Sequence, residues 1–360
     1  MSGALKKLDF SKRETLYKVV GLAALFTLFL VMPFFLSNRQ LVMFARIFIL
    51  AVYGMSYDLL RGYTGFINLG QAIFFGSGAY MGVILLNANP SVVFFLLAIV
   101  IMTLYGLLGG FIISRIVLRT QTVVASAMVT LALGEIVRQI AERWRDVTGG
   151  QDGLPMGNRQ VAFDGIIESA MQAINSDISN RGIRSAQNIF HYFLAFVFLL
   201  VMIAVLRLFV LSPTGRVMLA IRENEQRARF LGYTTANYKT IALMVSSVAA
   251  GYAGVFFSII VRFANTDYLS VQYTLNALVI TLVGGTGTLY GAIIGSGFIT
   301  ILQTVLNDLN RALSFELLKY PMLFIGTVYI LLVIFLPSGI MGGIYKLADR
   351  YALWKEKKSE

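Results

Sequence analysis

Apolar residues in this chain gather into long, nearly unbroken runs, not the alternating or three-to-four-residue stripes of half-buried strands and helices. The runs lie at 18–36, 41–60, 63–87, 91–113, 122–141, 189–211, 240–262, 272–287, 290–306 and 321–337. A helix needs about 20 apolar residues to cross a hydrocarbon core of about 30 Å. The pattern therefore predicts an all-α integral membrane protein of ten transmembrane or re-entrant helices. Prolines punctuate it. Pro90 and Pro321 open runs, Pro33 and Pro337 lie near run ends, and Pro155 and Pro213 fall in polar connections. The first run follows Lys6, Lys7, Lys12, Arg13 and Lys18, exceeds a signal-peptide core in length and precedes no small-residue cleavage site, so it reads as a retained span.

Composition agrees. With 57% hydrophobic and 13% charged residues, the chain has too little charge to cover a soluble surface of 360 residues. It has no cysteine, which removes disulfides, Cys-ligated zinc and thiol catalysis. The net charge of +12 is read as the basic bias of cytoplasmic loops and not as a nucleic-acid footprint. Arg115 and Arg119 lie between the fourth and fifth runs, and Arg216, Arg222, Arg227, Arg229 and Lys239 outnumber Glu223 and Glu225 in 212–239. Lys346, Arg350, Lys355, Lys357 and Lys358 follow the last run. The connection 142–188 instead sets five arginines against six acids. The expected layout is a cytoplasmic tail (1–17), a transmembrane domain (18–337) and a cytoplasmic tail (338–360), with 142–188 outside and 212–239 inside.

Ten spans split into five and five enter the bilayer from opposite sides, which predicts an inverted five-plus-five repeat. The third run of each half is rich in glycine, in 62–82 and again in 283–297. Glycine-interrupted runs at matching positions point to a transport path near the midplane. The polar stretch 64–71 is assigned to that path, because Asn68 and Gln71 within a bilayer must find partners or water. For Gly291, Gly295 and Gly297, close helix packing is an equal alternative.

Other polar residues are read plainly. Asp58 and Arg61, and likewise Glu135 and Arg138, are one turn apart and are expected to form ion pairs, with a proton relay as the alternative. His191, the single histidine, is expected to be packed or solvated at the outer end of its span. Asp152, in a glycine-flanked turn, is read as an Asx-turn former. No nucleophile–base pair or metal-ligand spacing stands out, so no catalytic or metal residue is assigned. The loop 212–239 predicts one short amphipathic helix followed by glycine, with Ala220, Ile221, Ala228, Phe230 and Leu231 sharing an apolar surface. It is either a solvated loop or a docking element for a cytoplasmic partner. No Gly-Lys pair occurs, so a phosphate-binding P-loop is absent.

Five stretches in order carry a family resemblance: YDLLRGYTGFINLGQAIFFGSGAYMG, TGGQDGLP, GRVMLAIRENEQRARFLGYTTANYK with the following SSVAAGYAGVFF, VGGTGTLYGAIIGS and LPSGIMG. Together they resemble the permease subunits of branched-chain amino-acid ABC transporters, over about 50–340, and the extra first span resembles the longer of that family's two homologous permeases. The resemblance implies uptake of branched-chain or other small amino acids. Relatives carrying urea, short amides or aromatic acids keep those cargoes open, and an autonomous secondary transporter is the remaining alternative. It implies as partners a second homologous permease, two cytoplasmic ATPases that bind the ATP, an extracytoplasmic solute-binding protein and membrane lipid, with no nucleic acid and no cofactor in this chain. The implied location is a prokaryotic cytoplasmic (inner) membrane with both termini inside. Carried over by position, the substrate pathway comprises Thr64, Gly65, Asn68, Gln71, Gly76, Tyr80, Gly284, Gly285 and Gly287. The ATPase-coupling residues are Arg222, Glu223, Glu225, Ala228, Arg229 and Gly232. Many relatives have histidine where this chain has Gln71.

Overall fold

A computed structural model describes residues 27–120, 122–157, 163–174, 180–313, 326–327 and 339–343. Most of the run 321–337, the start of the run 18–36 and nearly all of both tails lie outside these residues. The description therefore covers the middle of the expected ten-span layout.

Helix α1 (Asn38–Thr64) starts at a capping box, in which the Ser37 N–H donates to Gln40 Oε1 at 2.9 Å. After α2 (Ala72–Ala88) come α3 (Val92–Val117), capped by Ser91, and α4 (Val123–Arg143), capped by Thr122. The connection that follows holds a helical turn, the strand β1 (Leu154–Pro155) and α5 (Asp164–Ile174). The chain continues through α6 (Asn180–Leu211), α7 (Pro213–Glu223), α8 (Glu225–Phe230), α9 (Thr235–Val261), β2 (Phe263–Ala264), α10 (Val271–Gly284) and α11 (Gly291–Leu313). Among the described residues six helices are long and apolar enough to cross a membrane, namely α1, α3, α4, α6, α9 and α11. Two apolar helices are short: at 1.5 Å per residue the 17 residues of α2 and the 14 of α10 rise about 26 and about 21 Å, less than a bilayer core.

Burial sorts the helices. α1 and α9 form the centre, while α3, α4, α6 and α11 turn rows such as Leu96, Val100, Leu104 and Leu108 outward, as lipid-facing helices do. The packing is reciprocal. α9 lies against α2 and α3, α1 lies against α10 and α11, and α1 and α9 lie against each other. Small residues let the backbones approach. A methyl group on Gly78 would strike the Gly251 carbonyl, and one on Gly254 would strike the Phe75 carbonyl.

Several expectations change. The run 63–87 is not one span, because α1 ends at Thr64 and residues 65–71 are non-helical before α2. The run 272–287 is helical only to Gly284. In element order the counterpart of 65–71 is the stretch 262–270 between α9 and α10, so the second glycine-rich segment sits one connection later than its proposed match. Gly291 and Gly295 take the packing role, since methyl groups there would collide with Gly284 and with the Ile280 carbonyl. Pro213 opens α7 instead of lying in a loop. Glu135 and Arg138 pair as expected at 2.6 Å, and Arg138 also bonds Glu142.

The connection between α4 and α6 is tied down. β1 pairs antiparallel with β2, Leu154 opposite Ala264. Buried Asp164 accepts from Arg262 Nη2 at 2.5 Å and lies 3.4 Å from His191 Nε2, so the histidine is a packed residue. Asp152 remains exposed in its turn.

Candidate functional site

The break after α1 comes first. Thr64 Oγ1 returns a hydrogen bond to the Leu60 carbonyl at 2.7 Å, and Gly65 turns left-handed with φ 70°. A side chain there would carry a backbone penalty of about 1–2 kcal/mol. The Phe66 N–H reaches back to the Leu60 carbonyl at 3.2 Å, which closes the helix end.

Residues 65–71 then run without helical bonds through the protein interior, so their polar groups need other partners. The Gly70 N–H donates to Asn68 Oδ1 at 2.9 Å, and Asn68 Nδ2 donates to Gln71 Oε1 at 2.9 Å. Gln71 Nε2 reaches Ser246 Oγ of α9 at 2.9 Å and Ser56 Oγ of α1 at 3.1 Å. Ser246 Oγ donates onward to the Ser56 carbonyl at 2.5 Å. The Leu69 N–H finds Thr130 of α4, and the Ala72 N–H finds Thr274 of α10, each at 2.9 Å. Asn68 and Gln71 are buried and bonded within the chain. Five helices thus meet at one non-helical stretch. Ser56, Thr130, Ser246 and Thr274 were not singled out from the sequence; a hydroxyl inside an apolar run was the available signal.

The other pathway candidates lie at two further levels. Gly76 and Tyr80 are buried on α2, where a methyl on Gly76 would sit 2.5 Å from Leu269 Cδ2. Gly284, Gly285 and Gly287 form the turn between α10 and α11. That turn holds φ 115° at Gly285, 80° at Gly287 and 56° at Leu289. Asp58 keeps it in place. Its Oδ1 accepts the Gly287 N–H at 2.7 Å and its Oδ2 accepts the Leu289 N–H at 3.0 Å. The carboxylate is buried and does not pair with Arg61, which points outward; this overturns the expected Asp58–Arg61 pair. An i+3 neighbour on an exposed face loses to two backbone donors, one buried and one part-buried, that would otherwise lack a partner.

Below that turn lies the polar elbow. One amphipathic helix was expected, and two are present: Asn224 breaks α7 from α8 and caps α8 by accepting the Arg227 N–H at 2.8 Å. The expected single apolar surface divides as well. Ile221 and Ala228 are buried, whereas Phe230 is 83% and Leu231 71% exposed. Gly232 has φ 88° with open space around it, so the turn conformation alone explains glycine there. Glu223 is exposed.

Glu225 joins the elbow to α9. It takes Lys239 Nζ at 2.6 Å, Arg229 Nη2 at 2.8 Å and Thr235 Oγ1 at 3.0 Å. Partial burial pushes its carboxyl up, but the hydrogen bonds and charge of Lys239 and Arg229 outweigh this and hold it down at about 2. Arg222 joins the elbow to the glycine turn. Its guanidinium donates to the Gly62 carbonyl, and a methyl on Gly287 would sit 2.7 Å from Nη1. A cavity of about 290 Å³ lies beside this junction, lined by Thr64, Gly65, Arg222, Glu225 and Lys239. Two sets of residues assigned separately from the sequence, one to a path and one to coupling, are therefore in contact.

The sequence profile described as branched-chain amino acid transport system, permease component, matches residues 41–335. The chain belongs to this family of permease components. The permease is 28% identical over 333 residues to the high-affinity branched-chain amino acid transport system permease protein LivM of Escherichia coli, across 91% of this chain and 76% of that protein. LivM of Salmonella typhimurium is 26% identical over the same coverage. A shorter match, 38% over 94 residues, covers 25% of the permease and 28% of the autoinducer 2 import system permease protein LsrC of Photorhabdus laumondii. No solved structure matches the permease significantly.

Proposed function

We propose that this permease forms the membrane pathway of an ABC importer for branched-chain amino acids and is driven through the α7–α8 elbow. Separate cytoplasmic ATPases bind and hydrolyse the ATP, so this chain carries no cofactor. An extracytoplasmic binding protein delivers the substrate at the end bearing β1, β2 and α5. A second homologous permease completes the pathway. The assembly sits in a prokaryotic cytoplasmic membrane with both termini inside.

The observation that carries the reading is the linkage of an exposed apolar tip to a buried glycine turn. Phe230 and Leu231 face solvent, as anchors for a groove on a partner do. Glu225 fastens that tip to α9, and Arg222 fastens it to Gly62 beside Gly287. A displacement of the tip is thereby delivered to the α10–α11 turn and to the end of α1 next to 65–71. Small shifts at such a junction move packed helices between discrete arrangements.

Reconstitution in liposomes tests it. Uptake of leucine is expected only with the second permease, the ATPases, the binding protein and ATP. Gradient-driven flux through this chain alone would overturn the reading in favour of a secondary transporter.

A further inference from the structure

We propose that Arg46 anchors the substrate's carboxylate in an outer vestibule between α1 and α11. This rests on the amino-acid import reading above.

Arg46 is the ninth residue of α1, about 12 Å along its axis from Asn38 at 1.5 Å per residue. That depth places a guanidinium inside a span whose neighbours Ala45, Ile47, Phe48 and Ile49 are buried and apolar. Arg46 itself is exposed, and among the described residues it has neither an acidic partner nor a hydrogen bond. An ionisable residue at such a position is costly without a function. It opens into a cavity of about 740 Å³.

The lining of that cavity indicates what it takes. Arg39, near the mouth, is already neutralised by Asp308 of α11 at 2.5 Å. Arg46 is left as the uncompensated charge among the described lining residues. Val42, Met43, Ile301 and Val305 line the same cavity, with Thr304 and Asn307 as its polar groups. A cation next to an aliphatic wall and amide or hydroxyl groups suits a small molecule with a carboxylate and a branched hydrocarbon chain. Arg pairs with a carboxylate through two parallel N–H donors, a geometry that an amide cannot match. A lipid phosphate offers the same acceptor chemistry at this depth, and the experiment separates the two.

The assembled complex without its binding protein is titrated with radiolabelled leucine, using leucinamide as competitor. Wild type is expected to bind leucine and to prefer it to the amide. Arg46→Gln is expected to weaken leucine binding about tenfold or more and to abolish that preference. Arg46→Lys is expected to recover part of it, and Arg39→Gln to bind like wild type. In the full system, Arg46→Gln is expected to lose uptake while the binding protein still stimulates ATP hydrolysis. Unchanged leucine binding in Arg46→Gln, or no leucine binding in wild type, overturns the proposal. So does loss of a co-purified phospholipid from Arg46→Gln, by native mass spectrometry, with leucine uptake intact. A wild-type assembly that transports no amino acid overturns the import reading itself.

Discussion

Asp58 holds Gly287 from across the protein. The two are 229 positions apart in sequence, and the Gly287 N–H meets Asp58 Oδ1 at 2.7 Å while the Leu289 N–H meets Oδ2 at 3.0 Å. The carboxylate thus stabilises a turn with positive φ at Gly285, Gly287 and Leu289. Asp58→Ala leaves the buried Leu289 N–H and the part-buried Gly287 N–H unpaired, the first at about 1–3 kcal/mol and the second at less. The thermal unfolding midpoint of the detergent-solubilised protein is expected to fall clearly. Arg61→Gln is expected to leave the midpoint within error of wild type. An equal drop for both variants would restore the Asp58–Arg61 pair that the sequence spacing indicated.

Gly287→Ala acts on the same turn from the other side. Alanine at φ 80° costs about 1–2 kcal/mol, and its methyl meets the Arg222 guanidinium. The side chain of Arg222 must then give way, loosening its bond to the Gly62 carbonyl. The expected phenotype is fewer leucine molecules moved per ATP hydrolysed. Parallel assays of uptake and phosphate release in proteoliposomes read that ratio directly. A normal ratio removes Arg222 from the transmission route.

The Glu225 clamp has a pH signature. Its carboxyl is held at about 2, below the ordinary value of 4.5. A depressed carboxylate contributes stability that is fully present above the unfolded value and is lost as pH falls toward the folded one. The elbow is therefore expected to stay fastened from pH 8 to pH 5 and to loosen between about 4.5 and 2. Hydrogen exchange of the α8 amides measures this. Glu225→Lys sets three cations together with Arg229 and Lys239, so exchange is expected to rise at neutral pH and uptake to fall. Protection that rises on acidification would reverse the assignment.

Legibility in the sequence followed the range of the deciding force. Hydropathy sets membrane insertion run by run, so the long helices showed in the sequence as apolar blocks. The non-helical stretch 65–71 did not, because Phe66, Ile67 and Leu69 keep the block apolar where helical bonding stops. Gly65, Gly70 and the polar Asn68 and Gln71 marked the stretch, but not where the helix ends. Glu225 and Arg229 were assigned to coupling by the family resemblance of their loop, and their bond spans only one helical turn. What the sequence hid were partners far along the chain. Arg222 and Gly62 are 160 positions apart, and Gln71 and Ser246 are 175 apart. Nothing local distinguishes Ser246 from Ser247, yet one bonds Gln71 and the other bonds its own helix at Leu243.

That network makes a quantitative prediction. Gln71→Leu removes the donor that serves Ser246 and Ser56 and the acceptor that serves Asn68. Ser246→Ala removes one of those contacts while keeping the helix. Because the two side chains share a bond, their effects on stability are expected to be non-additive by about 0.6 kcal/mol, the typical coupling between polar side chains in a membrane bundle. A double-mutant cycle on denaturant midpoints tests this. Strict additivity would mean that 65–71 is held by Thr130 and Thr274 instead.

Orientation rests on charge, but separation rests on geometry. The elbow precedes α9, and β2 with its partner β1 follows it. The 27 residues of α9 rise about 40 Å, more than a bilayer core. The elbow and the β1–β2 pair are therefore expected on opposite sides of the membrane, whichever side each takes. The basic bias of 212–239 predicts that the elbow is the cytoplasmic one of the two. With no native cysteine in the background, single replacements report this cleanly. Asp152→Cys is expected to react with an impermeant maleimide on intact cells, and Leu231→Cys only after the membrane is opened. Both positions are exposed, so a failure to label is a matter of side and not of burial. Labelling of Leu231→Cys from outside would place the elbow beyond reach of any cytoplasmic ATPase and remove the basis for energy coupling through Glu225 and Arg222.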